Sequence, residues 1–228
     1  MKANRFLLPA AFACLAIACL TEICSAGNFG LFDLNSDIGA TPQKGSGELD
    51  GLGRKYRVTG GGADVWGTAD AFHFVWKKVS GDMTLTADVE FVGASAQTKR
   101  KAALIFRQGL EPDAAYADVA FHGNGEIAAQ WRSAAGWATG DIVLPQNLDT
   151  SSPVRIRIER RGNQFFVSAG KPSGRLAAMA PVTVTLSDPV YVGLAVCSHD
   201  ANGLTTAVFS NVKIREPADE AVKALARF

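Results

Sequence analysis

The sequence predicts an all-β fold, two antiparallel sheets packed as a jelly-roll sandwich. Three observations point there. Apolar residues recur with a period of two along most of the chain, as they do in half-buried strands. Residues that tolerate positive φ separate the apolar runs, and no helical pattern emerges before Ala218–Phe228, after Pro217. At 228 residues, the chain is longer than an immunoglobulin module of ~100 residues needs, so a larger jelly roll fits better.

The N-terminus reads as a leader rather than as fold. Lys2 and Arg5 precede the apolar run Phe6–Leu20, and Cys24-Ser25-Ala26 sets small residues before Gly27. That is a secretory signal peptide over residues 1–26, too short in its apolar part to span a membrane. Lipidation at Cys19 is the second reading, because Ala16-Ile17-Ala18-Cys19 loosely follows a lipobox. Removing the leader takes away Lys2, Arg5 and Glu22 and leaves a formal charge of zero. A neutral domain lacks the basic excess of a nucleic-acid binder. Cys197 alone remains of four cysteines, so no internal disulfide forms even in an oxidising compartment. The export signal places the protein in the periplasm or outside the cell. No other segment is long and apolar enough to cross a membrane.

The domain is expected over 27–215, followed by a short tail over 216–228. Its strands, in order, are Ala71–Trp76, Met83–Phe91, Ala102–Arg107, Ala115–His122, Glu126–Arg132, Val154–Glu159, Gln164–Ser168, Val182–Leu186, Val190–Cys197 and Leu204–Ile214. His122-Gly123-Asn124-Gly125 and Arg161-Gly162-Asn163 spell hairpin turns, and Gly60-Gly61-Gly62 reads as a tight turn. In the first strand Phe72, Phe74 and Trp76 form a core stripe, with His73 on the wetter face.

Four stretches carry a family resemblance. They are Gly30-Leu31-Phe32-Asp33 with Asp37-Ile38-Gly39; Gly62 to Trp66 leading into Asp70 to Lys77 and Gly81-Asp82; Arg107 to Asp118; and Tyr191 to His199 with Phe209 to Val212. Together they resemble a bacterial secreted family of unassigned activity with the concanavalin A-like lectin/glucanase fold, related to laminin-G-like jelly rolls. Relatives in that family are often fused to TolB-like propellers, which this chain does not include. The resemblance implies the sandwich fold over about Gly30–Ile214 and transfers no reaction.

Catalytic signatures are missing. Glucanases on this fold carry paired carboxylates written Glu-x-Asp-x-Glu, and no Glu here begins that pattern. Asp88 and Glu90 come nearest, but their apolar neighbours Leu85, Ala87, Val89 and Phe91 turn them to solvent. An enzyme is not the expectation. Strand parity instead gathers a polar face: Tyr116, Asp118 and His122 alternate against Ala117, Val119 and Phe121, while Gln130 and Arg132 alternate against Ala129 and Trp131. Arg107 and His199 join if their strands are neighbours. Planar donors beside the aromatic platforms Trp66, Trp137 and Tyr116 are what a sugar needs. An ordinary solvated sheet face, with Arg107 and Asp118 paired across strands, fits the same alternation. Asp33, Asn35 and Asp37 place oxygens at i, i+2 and i+4, as a calcium loop begins, although the glycine comes late and no closing Glu follows. The same residues read as a structural calcium loop or as an Asx-rich turn before a strand, and no other cofactor is indicated. Cys197 reads as a buried small hydrophobe.

The expected function is non-catalytic binding of a glycan or cell-envelope polymer. The alternatives are a glycoside-active enzyme with unrecognised carboxylates, or a laminin-G-like module that binds a protein partner.

Overall fold

The structure is a computed structural model and describes residues 29–216. The leader 1–26 and the helical pattern over Ala218–Phe228 lie outside the described residues. Among those described there is no α-helix, and no helix long and apolar enough to cross a membrane.

Two antiparallel sheets face one another. The first runs β1 (Leu34–Ile38), β4 (Phe72–Val79), β14 (Val190–Cys197), β6 (Lys101–Arg107), β7 (Tyr116–His122), β8 (Ile127–Arg132) and β9 (Gly140–Val143). The second runs β12 (Ala177–Ala178), β11 (Gln164–Gly170), β10 (Val154–Arg161), β5 (Met83–Val92), β15 (Asp200–Arg215), β3 (Lys55–Gly62) and β2 (Ser46–Leu49). The short β13 (Val182–Thr183) pairs with β11 off the main path. The expected jelly-roll sandwich is therefore the observed fold. Both hairpins stand where the turn residues place them. The Gly125 amide donates to the His122 carbonyl at 2.9 Å, with Gly125 at φ +87°. Gly162-Asn163 joins β10 to β11, where Arg161 faces Gln164.

Period-two alternation sends one set of side chains from each sheet into the space between them. Leu104, Phe106, Val119, Phe121, Val192 and Leu194 meet Val58, Leu85, Val89, Ile156, Ile158, Phe165 and Phe209, all essentially inaccessible. Each such side chain contributes roughly 1.5–3 kcal/mol by leaving water, and among the described residues, whose one cysteine is free, this burial takes the place of disulfides. A second apolar cluster lies on the other face of the first sheet. It gathers Phe72, Phe74, Trp76, Ala103, Ile105, Tyr116, Ala120, Ala195 and Cys197, and Val65 from the β3–β4 loop covers it.

That second cluster corrects the reading of β4. Phe72, Phe74 and Trp76 do form a buried stripe, but on the face away from the inter-sheet core. His73 takes the inner side, 2% exposed, not the wetter one. Its ring is held at both nitrogens, Nδ1 by Asp37 Oδ1 at 2.7 Å and Nε2 by Asn35 Oδ1 at 3.0 Å. Burial lowers the His73 pKa, with Asp37 opposing. Asn35 and Asp37 thus sit on a strand, β1, not in a turn. Spacing of i and i+2 puts oxygens on one side of an extended chain as readily as around a loop.

The Gly60-Gly61-Gly62 run is likewise no turn but the end of β3. A Cβ on Gly60 would lie 2.0 Å from the Val196 carbonyl oxygen, so the glycines admit a close approach of β14. Val182–Leu186 shrinks to a two-residue strand, and β1, β2, β3, β9 and β12 add to the expected set. Asp88 lies on the outer face of β5 as alternation demands, yet Arg155 and Asn211 cover it.

Candidate functional site

The outer face of the first sheet carries the polar residues that strand parity selects. In register, Arg107 on β6 lies opposite Tyr116 on β7, which lies opposite Arg132 on β8. Two residues along, Asp118 lies opposite Gln130, and Gln130 opposite Asp141 on β9; at the far end Lys101 faces His122. Arg107, Tyr116, Asp118, His122, Gln130 and Arg132 therefore share one face. This face has two ends, and they differ.

At the arginine end the loops close over the sheet. Asp70, from the β3–β4 loop, accepts from Arg107 Nη1 at 2.5 Å and from both terminal nitrogens of Arg132 at 2.6 and 2.9 Å. All three side chains are fully buried. The remaining guanidinium nitrogens donate to backbone carbonyls: Arg107 to Gly109 and Glu111, Arg132 to Trp66, Gly67, Pro112, Ala114 and Trp137. The Tyr116 ring lies between them, with guanidinium carbons 5.0 and 5.7 Å from its centroid, and its hydroxyl pairs with Thr139. Arg107 pairs with Asp70 and not with Asp118. Every nitrogen of both arginines is taken by a protein oxygen, and Tyr116 offers no open face to a sugar.

At the other end the face opens into a cavity of about 260 Å³. Gln130 and His122 line it from the sheet, Trp66 and Asp64 from the β3–β4 loop, and Asp141 from β9. Lys101 is anchored on its wall, donating to Asp64 Oδ1 at 2.6 Å and the Val65 carbonyl at 2.9 Å, with its ammonium 5.4 Å from the Trp66 ring centroid. His199 closes the rim, its Nε2 3.4 Å from Asp64 Oδ2. Lys99 pairs with Glu126 at 2.7 Å. Trp66 is 38% exposed and stands at the cavity; Trp137, 64% exposed, does not line it.

Three buried acceptors at this end lack partners. Neither carboxyl oxygen of Asp118 nor Oε1 of Gln130 makes a hydrogen bond of ordinary geometry, though both residues are almost wholly enclosed. Burial pushes the Asp118 pKa well above the usual carboxylate range. Lys101 and the Gln130 backbone amide oppose that shift more weakly. Burial also drives His122 down to about 4, with the Lys101 charge adding to it, so its imidazole is neutral at pH 7. Buried polar groups are nearly always completed by protein, water or ligand.

Sequence parity does not single out Asp64, Lys101 or Asp70. Asp64 and Asp70 lie in a loop without alternation. Lys101 precedes an apolar run and reads as its boundary, although its place two residues before Ala103 put it on the polar face. Cys197 is buried with its pKa pushed up to about 12 by desolvation. Among the described residues no group of three or more His, Cys, Asp or Glu side chains is arranged to hold a metal.

No protein-family model and no curated protein matches this chain. Solved structures do. A functionally unknown protein from Saccharomyces cerevisiae superposes with a TM-score of 0.63 at 12% identity, covering 81% of this chain and 97% of its own. The carbohydrate-binding module CBM66 from Bacillus subtilis gives 0.53 at 13%, over 80% and 95%. A β-glucanase from Bacillus licheniformis gives 0.52 at 10%, over 80% and 92%. At such identities the likeness establishes the fold: a jelly-roll sandwich of the kind shared by glucanases and carbohydrate-binding modules.

Proposed function

We propose that the protein is an exported, non-catalytic glycan-binding domain that seats one or two sugar rings in the cleft between Trp66 and Gln130. The observation that carries this reading is a cavity lined by the polar side chains of Gln130 and Asp141 with the half-exposed Trp66 indole on its rim, and with unpartnered acceptors on Gln130 and, behind the wall, on Asp118. An aromatic face packs against the apolar side of a pyranose while buried polar groups select its hydroxyls. The cavity lies just below the ~300–1,000 Å³ of drug-sized ligand sites, which suits a sugar unit rather than a long chain segment. The neighbours' names, a carbohydrate-binding module and a glucanase, support the same ligand class by analogy of fold. Membership of the secreted family that the sequence resembles belongs to the same proposal.

Catalysis is the second reading. It would need two carboxylates facing one sugar. Asp118 is enclosed, while Asp64 and Glu126 are held in ion pairs with Lys101 and Lys99.

Titration of the purified protein with neutral oligosaccharides tests the binding reading. Trp66→Ala and Gln130→Ala should each weaken binding about tenfold, as losing one buried hydrogen-bonding or stacking partner typically does, with stability changed by less than ~1 kcal/mol at the half-exposed Trp66. Undiminished binding in both variants would place the ligand elsewhere, and steady release of reducing sugar would replace binding by catalysis. Export has its own check: the secreted protein should begin at Gly27 in an intact-mass measurement, and acyl mass on Cys19 would show anchoring instead.

A further inference from the structure

We infer that the cleft selects non-acidic glycans, those whose hydroxyl groups donate into it, and rejects uronic-acid and sulfated chains. This rests on the reading of the cleft as a glycan site and names which glycans it takes. Anionic sugars are held by cations with charge to spare, through charge-assisted hydrogen bonds from lysine or arginine. Here there are none to spare. Lys101 is bound to Asp64 and the Val65 carbonyl, and Lys99 to Glu126. The two arginines of the same sheet face are sealed under the loops against Asp70.

What the cleft does have in surplus is acceptors. Asp141 lines it without an ion pair among the described residues, and Gln130 Oε1 beside it lacks a donor. Behind the wall, Asp118 lies opposite Gln130 in the sheet register with both oxygens unmatched. Among the acidic and lysine side chains of the lining, Asp64, Glu126 and Asp141 outnumber Lys99 and Lys101 by one. A carboxylate or sulfate brought there meets repulsion and acceptor atoms. A sugar hydroxyl meets an exposed acceptor in Asp141. Acidic chains keep hydroxyls that donate as neutral ones do, so the discrimination comes from the carboxylates of the lining and the lack of a free cation to offset a bound anion.

The test is direct binding of labelled gluco-, manno- and fructo-oligosaccharides against oligogalacturonate and oligomannuronate of equal length, at low and physiological salt. The expected result is that at least one neutral series binds ten times more tightly than either acidic series, and that salt narrows the gap by screening the repulsion. Asp141→Lys, an exposed change that leaves the fold alone, should shrink that preference at least fivefold by supplying the missing cation. Equal or tighter binding of an acidic series by the unaltered protein overturns the selectivity while leaving a glycan site in place. So does a preference that Asp141→Lys leaves unmoved. Failure of every series to bind, acidic or neutral, removes the glycan reading itself and this inference with it.

Discussion

The two ends of one sheet face solve the same problem in opposite ways. At one end Arg107, Asp70 and Arg132 bury three charges, and every guanidinium nitrogen is matched by a carboxylate or carbonyl. At the other, two residues along the same strands, Asp118 and Gln130 are as deeply enclosed yet carry acceptors with nothing to accept. Both ends come from the same alternation on β7 and β8, so strand pattern does not make the difference. The loops do. Residues of the β3–β4 and β6–β7 loops deliver Asp70 and a set of carbonyls onto the arginines, whereas at the other end the same β3–β4 loop stops at Asp64 and Trp66 and leaves a cavity. A satisfied network fixes structure, and an unsatisfied one beside a cavity is poised for a ligand.

The largest expected effect breaks the satisfied end. Asp70→Ala strands two guanidiniums in a site sealed from water. Removing one partner from a buried ion pair costs about 3–5 kcal/mol, so the urea midpoint should fall steeply, and the loops that roof the sheet should become open to proteolysis. A loss below ~1 kcal/mol, the worth of a surface pair, would mean that water reaches the arginines and that the contrast between the two ends is false.

Acid is the next lever and acts on the open end. His122 titrates near 4 in the folded protein against 6.5 for the free side chain. Because the folded pKa is depressed, the unfolded chain binds the proton first. Stability should fall as pH drops through 6.5 and level off near 4, by on the order of 3 kcal/mol from this residue. His73, shifted the same way by burial, adds to the slope. Measured from pH 8 to 4, the stability of the protein should fall more steeply than that of His122→Gln, which lacks the titrating ring. Parallel curves would show that His122 is hydrated and not enclosed.

Much of this was legible in residue order, and the illegible part has a physical cause. Alternation on Tyr116–His122 and Ile127–Arg132 correctly groups Asp118, Gln130 and Arg132 on one face, because side-chain direction in a strand depends on parity alone. The same rule cannot say what covers that face. Asp70 and Asp64 arrive from a loop whose path is set by contacts distant in sequence, and so the partner of Arg107 is not its strand neighbour. His73 fails for a related reason. Parity separates it from Phe72 and Phe74 but not inner from outer, and here both sides of β4 are apolar. Polar residues of β1 supply what makes the inner side habitable for an imidazole.

The smallest expected effect is also the one that bears most directly on the open end, and its sign is opposite to that of His122. Asp118 has its pKa raised well above 3.8 by burial. Above the folded pKa the enclosed carboxylate is charged without a full partner, whereas the unfolded chain carries the same charge in water. As pH falls through the folded value, the native state takes up a proton that the unfolded state still refuses. The stability of the protein relative to Asp118→Asn should therefore rise on acidification, reaching its full extent near pH 3.8. The amide keeps the size of the side chain and carries no titrating proton, which isolates the ionisation from packing. At pH 7 the variant should be more stable by about 1 kcal/mol, the lower range for a buried polar group left unsatisfied. If acidification instead destabilises the protein relative to Asp118→Asn, the carboxylate is ionised and paired with Lys101. The two ends of the face would then be alike in being satisfied, and the open end would lose its claim to be the site.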